Sequence, residues 1–116
     1  MNSLAICSND VVNYPEDSFE NMSIFSKKNN FNFSYLHDET QEVAKKYGAV
    51  CTPDFFGYNG NLELQYRGRI REVKKLVPVR NGESDLFKAM SQIAQTQKGP
   101  GTQIPSAGCS IKWKND

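Results

Sequence analysis

The sequence predicts a mixed α/β fold, a sheet with flanking helices, built from 116 residues around one core. The apolar run at residues 4–7 is followed by polar residues, which indicates a buried strand. Helical and extended patterns then alternate up to residue 58, as in a parallel strand pair joined by a crossover. Asn59 and Gly60 separate two strand patterns and predict a hairpin turn, because both residues tolerate positive φ, and the hairpin adds an antiparallel edge.

Composition excludes several classes of function. The net charge of +1 gives no electrostatic case for binding nucleic acid or an acidic membrane. No apolar run approaches the roughly 20 residues that span a bilayer, and the N-terminal residues lack the pattern of a secretory signal. The three cysteines are widely spaced and form no CxxC pair, which predicts reduced thiols in the cytoplasm.

The first half of the chain carries clear helix and strand signals. Ser18 is the predicted N-cap of a first helix, because its hydroxyl can accept from an amide of the first turn. Phe19, Met22 and Phe25 fall on one side of that helix. Residues 31–36 alternate aromatic and polar side chains, as a half-buried strand does.

A second, short helix is predicted between residues 38 and 48. Asp38 and Gln41 have the spacing of a capping box at its start. Gly48 is predicted to end it in the left-handed conformation. A strand is then predicted at residues 54–58.

The hairpin returns through a strand in which Leu62, Leu64 and Tyr66 alternate with polar residues, so these three are predicted to share a buried face. The polar and basic residues 69–82 predict a loop. Ser84 is the predicted N-cap of a last amphipathic helix.

Glycine and proline at residues 98–101 end that helix, and residues 102–116 are predicted to lie extended on the surface. We therefore expect a domain at residues 1–99 and a C-terminal tail at residues 100–116.

Residues 48–56 join the short helix to the next strand and contain the step Cys51-Thr52-Pro53. A proline that opens a strand has no amide hydrogen for a sheet ladder, so it has to lie where none is needed. Cys51 is either a redox thiol or a small buried apolar residue. No Lys, Arg or His flanks it in sequence, so nothing in the local sequence lowers its pKa.

The remaining candidate residues have simpler interpretations. Cys7 ends an apolar strand and is predicted to be a core residue. His37 is the only histidine, so no histidine cluster is predicted to hold a metal, and no cofactor is predicted. Trp113 is expected to anchor the tail on the body of the protein. The basic residues from Arg67 to Arg80 have Glu72 among them and Glu63 and Glu83 beside them, and they are predicted to be solvated.

Four parts of the chain together resemble a known family. They are residues 8–22, residues 38–56, residues 66–70 and residues 105–114, which include the Thr-Pro-Asp-Phe-Phe step and the Gly-Cys-Ser-Ile-Lys-Trp tail. They resemble the peroxiredoxin-like branch of the thioredoxin superfamily, the redoxin domains of the alkyl hydroperoxide reductase and thiol-specific antioxidant type. The resemblance covers nearly the whole chain.

The resemblance implies a thioredoxin-like fold in which Pro53 is a cis-proline that faces a redox site. It implies that the backbone of Thr52 pairs with an extended substrate, as in strand addition. Thr52 and Pro53 are therefore candidate substrate-binding residues, and Cys51 and Cys109 are candidate catalytic residues. Cys109, in the tail, would be a resolving cysteine that meets a thiolate elsewhere.

The sequence departs from the family in one respect. Members have, before the equivalent of Leu4, a central strand and a helix that starts at the attacking cysteine, usually with a CxxC-type motif. Neither is found in this sequence. We therefore expect the chain to be the C-terminal part of a longer protein, and we expect little or no activity from it alone.

Three functions stay open at this point. The first is part of an oxidoreductase of cell redox homeostasis, which reduces a peroxide or a protein disulfide with electrons from a thioredoxin-type thiol donor. The second is a non-catalytic thioredoxin-fold module that binds an extended partner at the Thr52-Pro53 edge. The third is a fragment without stable function, because its sheet lacks a middle strand. The sequence leaves the substrate, the donor and the oligomeric state open.

Overall fold

A computed structural model describes residues 2–74, 77–78 and 84–114. Its helices are a 3-10 turn at Pro15–Asp17 and the α-helices α1 (Phe19–Lys28), α2 (Glu42–Tyr47) and α3 (Asp85–Thr96). Its strands are β1 (Leu4–Cys7), β2 (Ser34–His37), β3 (Cys51–Thr52), β4 (Phe55–Tyr58), β5 (Leu64–Gly68), β6 (Val73–Lys74), β7 (Val77–Pro78) and β8 (Cys109–Ser110).

The strands pair two by two. β1 pairs with β2 in parallel, and α1 lies in the crossover between them, as predicted. β4 and β5 form the predicted antiparallel hairpin, while β3 pairs with β8 and β6 pairs with β7. The mixed α/β class is therefore confirmed.

The described chain forms two compact units. One contains residues 2–49 and 111–114, and the other contains residues 50–110. The domain boundary that we place at residue 99 from the sequence stays a prediction.

Helix α1 begins where its cap predicts. Ser18 Oγ accepts from the amide of Asn21 at 3.2 Å. Of the three residues predicted on its apolar side, only Met22 is buried, whereas Phe19 and Phe25 are 65% and 53% exposed. A sheet of two strands is too narrow to cover the whole apolar stripe of the helix.

Strand β2 begins three residues later than the predicted segment. The pattern at residues 31–36 predicts a strand, but the ladder starts at Ser34 and continues to His37. Phe31 and Phe33 lie before it and stack on each other, with ring centroids 4.6 Å apart. Aromatic stacking before the strand therefore accounts for part of the alternation of aromatic and polar residues at positions 31–36.

The predicted capping box at α2 is wrong. Gln41 rather than Asp38 occupies the N-cap position, with a φ of 65°. The Gln41 side-chain amide donates instead to the carbonyl oxygens of Ser8 and Lys112, at 2.7 and 2.9 Å. The side chain of Gln41 therefore makes long-range hydrogen bonds instead of the local capping bond that the sequence pattern predicted.

Asp38 still stabilises the start of α2 through its carboxylate. Oδ1 accepts from the amide of Val43 at 3.2 Å, and Oδ2 accepts from the amide of Ala44 at 2.9 Å and from Ser8 Oγ at 2.8 Å. Burial alone would raise the pKa of Asp38, but these hydrogen bonds outweigh it and hold the pKa below its ordinary value. At the other end, Gly48 ends α2 with a φ of 71°, as predicted.

The turn between β4 and β5 differs from the predicted two-residue turn. Neither Asn59 nor Gly60 has a positive φ, and Leu62 has a φ of 60° instead. The Asn59 side chain is the reason, because its Oδ1 accepts from the amides of Asn61 and Glu63 at 2.9 and 3.0 Å. This side-chain turn stabilises a longer loop.

The core of the second unit lies between the hairpin and α3. Tyr66, Ala89 and Ile93 are 2–3% exposed. Leu62 and Leu64 are 83% and 48% exposed, so the predicted buried face of β5 holds only Tyr66. The predicted N-cap of α3 is present, since Ser84 Oγ accepts from an amide of the first turn at 3.1 Å.

Two segments predicted to lack regular structure contain short strands. Within residues 69–82, β6 and β7 form an antiparallel pair, and residues 75–76 and 79–83 lie outside the described residues. In the tail, β8 pairs with β3. Strands of two residues are too short to show a periodic sequence pattern.

The cap at Asp38 yields a prediction for stability. We expect Asp38→Asn to lower the free energy of unfolding by about 1–3 kcal/mol at neutral pH, because buried amides of α2 lose a charged acceptor. The folded-state pKa of Asp38 is depressed, so its contribution is present above the unfolded pKa of about 3.9 and is lost as pH falls through the folded value.

Urea unfolding at a series of pH values measures this effect. The difference between wild type and Asp38→Asn should narrow on acidification, and Glu39→Gln, at an exposed neighbouring carboxylate, should stay within about 0.5 kcal/mol of wild type. An Asp38→Asn variant as stable as wild type at neutral pH would contradict the assignment.

Candidate redox site

The four candidate residues lie in or beside one small antiparallel ladder in the second unit. In the pairing of β3 with β8, Thr52 faces Cys109 and Cys51 faces Ser110. The Thr52–Pro53 peptide bond is cis, and both residues are exposed. The structure therefore brings the candidate residues into one place.

The register separates the two candidate thiols. Successive side chains of a strand point to opposite faces, so the side chain of Cys51 shares a face with Ser110, and that of Cys109 shares a face with Thr52. Cys51 and Cys109 therefore lie on opposite faces of the ladder. A disulfide between them requires β8 to shift by one residue along β3.

Cys51 forms part of the wall of a cleft with a volume of about 280 Å³. The residues that line the cleft are Val50, Cys51, Asp54, Arg67, Gly68, Pro105 and Ser106. Cys51 Sγ lies 3.7 Å from the carbonyl oxygen of Ser106, within the range of a weak thiol hydrogen bond. The thiol is half-buried rather than open to solvent.

A polar network surrounds that cleft. Asp54 Oδ2 pairs with the guanidinium of Arg67 at 3.3 Å, and the same guanidinium lies 5.0 Å from the ring centroid of Phe56. Ser106 Oγ lies 2.8 Å from Asp54 Oδ1 and 2.7 Å from the carbonyl oxygen of Gly68, either of which can accept its hydrogen. This network fixes Asp54, whose side chain is 7% exposed, beside Cys51.

The surroundings of Cys51 favour the neutral thiol. Burial raises its pKa most, the negative charge of Asp54 raises it further, and the positive charge of Arg67 only partly offsets the two. A nucleophilic cysteine needs the thiolate, which a depressed pKa supplies. Cys51 is therefore protonated at neutral pH and poorly suited to attack a peroxide or a disulfide.

The other two cysteines differ from each other. Cys7 lies half-buried in β1, and burial raises its pKa, so it is a structural residue of its strand rather than a reactive thiol. Cys109 is exposed on β8. All three thiols are free of disulfide bonds.

Sequence reasoning missed Asp54, Arg67 and Ser106 as neighbours of Cys51. Arg67 belongs to the basic group that we predicted to be solvated, but it pairs with Asp54, and Arg69 pairs with Asp85. The acidic partners of these arginines lie 13 and 16 residues away in sequence. No local pattern links residues at that separation.

Two remaining candidates have structural contacts in the first unit. His37 stacks on Phe19 with ring centroids 6.3 Å apart. Trp113 is 38% exposed, and the ammonium of Lys45 lies 5.8 Å from its ring centroid. Lys45 therefore makes a cation–π contact with Trp113, and the role of Trp113 as an anchor of the tail stays a prediction.

Among the residues that the structure describes, no group of three or more His, Cys, Asp or Glu side chains is placed to hold a metal ion. In that same part of the chain, no helix combines the length and apolar character needed to cross a membrane.

The mixed α/β fold, with a parallel pair joined through α1 and a hairpin packed on α3, is compatible with the thioredoxin-like class of the redoxin type. The family model that describes the AhpC/TSA family matches residues 6–73, more than half of the chain. The chain belongs to this family. No curated protein matches the chain.

Solved structures similar to this chain include two bacterial proteins. An uncharacterized conserved protein from Geobacillus kaustophilus is 41% identical with a TM-score of 0.91, over 99% of this chain and 61% of that one. A hypothetical protein from Sinorhizobium meliloti 1021 is 36% identical with a TM-score of 0.88, over 99% of this chain and 63% of that one. The chain thus spans less than two thirds of the length of these relatives.

The electrostatics at Cys51 yield a prediction of opposite pKa shifts. We expect Asp54→Asn to lower the pKa of Cys51, because a neighbouring negative charge is removed, and Arg67→Gln to raise it. The pH dependence of iodoacetamide labelling, resolved for each cysteine by mass spectrometry, measures both shifts. The exposed carboxylate Glu72 supplies the control, since Glu72→Gln should leave the labelling midpoint unchanged. A midpoint that does not fall in Asp54→Asn would contradict the assignment.

Proposed function

We propose that this chain is part of a thiol-dependent redox protein with an antioxidant role, which reduces a peroxide or a protein disulfide. The observation that carries the proposal is the ladder in which Cys51-Thr52 pairs with Cys109-Ser110, in a chain of the AhpC/TSA family. The proposed location is the cytoplasm, because three free thiols suit a reducing compartment.

In this chemistry a thiolate sulfur attacks a peroxide oxygen, the O–O bond breaks, and the products are a sulfenic acid and an alcohol or water. A second thiol then displaces water from the sulfenic sulfur and forms a disulfide. An external dithiol donor of the thioredoxin type returns two electrons by exchange and is itself oxidised to a disulfide.

The two candidate thiols, Cys109 and Cys51, differ in how well they suit this scheme. Cys109 is exposed and is the proposed resolving cysteine, which forms and releases the disulfide. The raised pKa of Cys51 argues against its use as the attacking thiolate. Thr52 and Pro53 remain the proposed contacts for the backbone of a substrate, and Cys51 lies next to them.

A second candidate function is a non-catalytic module that binds an extended partner at the Thr52-Pro53 edge. The observation that favours it is that this edge supports antiparallel strand pairing, since β3 pairs there with β8. The protonated state of Cys51 fits this function equally well.

Disulfide exchange distinguishes the two functions. Cys109 would first react with 5,5′-dithiobis(2-nitrobenzoate), which forms a mixed disulfide at Cys109 and releases one 2-nitro-5-thiobenzoate. A reduced thioredoxin-type protein would then reduce this mixed disulfide, release the second 2-nitro-5-thiobenzoate and itself be oxidised to a disulfide. We expect reduction at least about tenfold faster than for a synthetic peptide of residues 105–114 that carries the same disulfide, because recognition by the folded site lowers the barrier.

Matched cysteine variants complete this experiment. Cys109→Ser should abolish the fast reaction, and Cys7→Ser should leave it unchanged. Equal rates for the chain and the free peptide would exclude the redox role of Cys109 and favour the binding module over the redox function.

A further inference from the structure

The residues at positions 103–110, here called the closing segment, run along the second unit with contacts on both sides of the cleft. The amide of Arg67 donates to Gln103 Oε1 at 2.9 Å, and the amide of Arg69 donates to the carbonyl oxygen of Ile104 at 3.0 Å. Ser106 Oγ contacts the carbonyl oxygen of Gly68 at 2.7 Å. The segment is therefore held against the end of β5 before it reaches β3.

At its end, the closing segment occupies the edge of β3. Cys109 faces Thr52 and Ser110 faces Cys51 in the antiparallel ladder. Gly108 lies so close to the strand that a Cβ atom at this position would be 2.4 Å from the carbonyl oxygen of Thr52 and 3.0 Å from its carbonyl carbon. Only glycine allows this approach without a shift of the backbone.

We propose that the closing segment is a displaceable internal strand that closes the Cys51–Thr52 edge, so that an extended peptide reaches this edge only by displacing it. This inference rests on the proposed function, in which Thr52 meets the backbone of a partner. It adds that the chain carries its own competitor for that partner. The peptide that fits is extended, runs antiparallel to β3, and has glycine immediately before the residue that faces Thr52.

Two features make the closing segment displaceable. Its ladder with β3 has two residue pairs, and short two-stranded ladders are marginal in water. Cys109 and Ser110 are both exposed, so little apolar burial holds them. Pro105 and Ser106 form part of the cleft wall, so displacement of the segment also uncovers the thiol of Cys51.

A single glycine substitution tests the proposal. In Gly108→Ala the new Cβ meets the carbonyl of Thr52, which should detach β8 while leaving β3 unchanged in sequence. Gly101→Ala is the matched control, because nothing lies within 4 Å of a Cβ at that position. The probe is a fluorescent synthetic peptide of residues 104–112, added in trans, and its binding is followed by fluorescence anisotropy.

We expect the peptide to bind Gly108→Ala at least tenfold more tightly than wild type or Gly101→Ala. Hydrogen exchange at the amides of Thr52 and Cys109 should be at least tenfold faster in Gly108→Ala without peptide, and should slow again when the peptide is added. Protection of the β4–β5 hairpin serves as the check that the fold is intact.

If Gly108→Ala loses hairpin protection, Ser106→Ala replaces it, since that variant frees the segment by removing its contacts with Asp54 and Gly68. Peptide binding and amide hydrogen exchange that are the same as wild type in the folded variant would overturn the proposal.

Peptide binding needs no thiol chemistry and is measured in a Cys109→Ser background as well. Enhanced binding without fast disulfide exchange would therefore refute the redox function while supporting the internal strand.

Discussion

The antiparallel pairing of β3 with β8 is the constraint on which the candidate site depends. It joins the step before Pro53 to a segment more than fifty residues later in the chain and sets which side chains share a face. Because the register places Thr52 opposite Cys109, the two candidate thiols cannot meet without a shift of one strand. The same pairing fills the edge at which the family resemblance places an extended partner.

Burial and charge then determine what Cys51 can do. The thiol lies in a cleft beside a carboxylate that a guanidinium and a hydroxyl hold in place, and the pKa of Cys51 is raised as a result. An activated cysteine has the opposite surroundings, with positive charge or a helix N-terminus nearby. Within the described residues, the exposed thiol of Cys109 is therefore the better candidate for exchange chemistry.

The features that the sequence predicted correctly depend on local signals. The caps at Ser18 and Ser84, the helix end at Gly48 and the hairpin each follow from a few neighbouring residues, and the parallel pair follows from the order of local helix and strand patterns. One failure occurs where a distant part of the chain competes, since Gln41 binds backbone carbonyls instead of capping α2. Another is local, since the Asn59 side chain accepts from nearby amides and stabilises a longer turn. The cysteine–proline step of the site could be predicted because it is a local sequence feature. The neighbours of Cys51, such as Arg67 and Ser106, could not be predicted because they are distant in sequence.

The central claim is that the chain's own strand occupies the Thr52 edge. The most direct measurement is the cross-strand nuclear Overhauser effect between Thr52 and Cys109 in the wild-type chain, together with the chemical shifts of Cys109 and Ser110. The account predicts a cross-strand contact between the backbones of Thr52 and Cys109, and extended-strand shifts for both residues of β8. Random-coil shifts for Cys109 and Ser110 without that contact would contradict it.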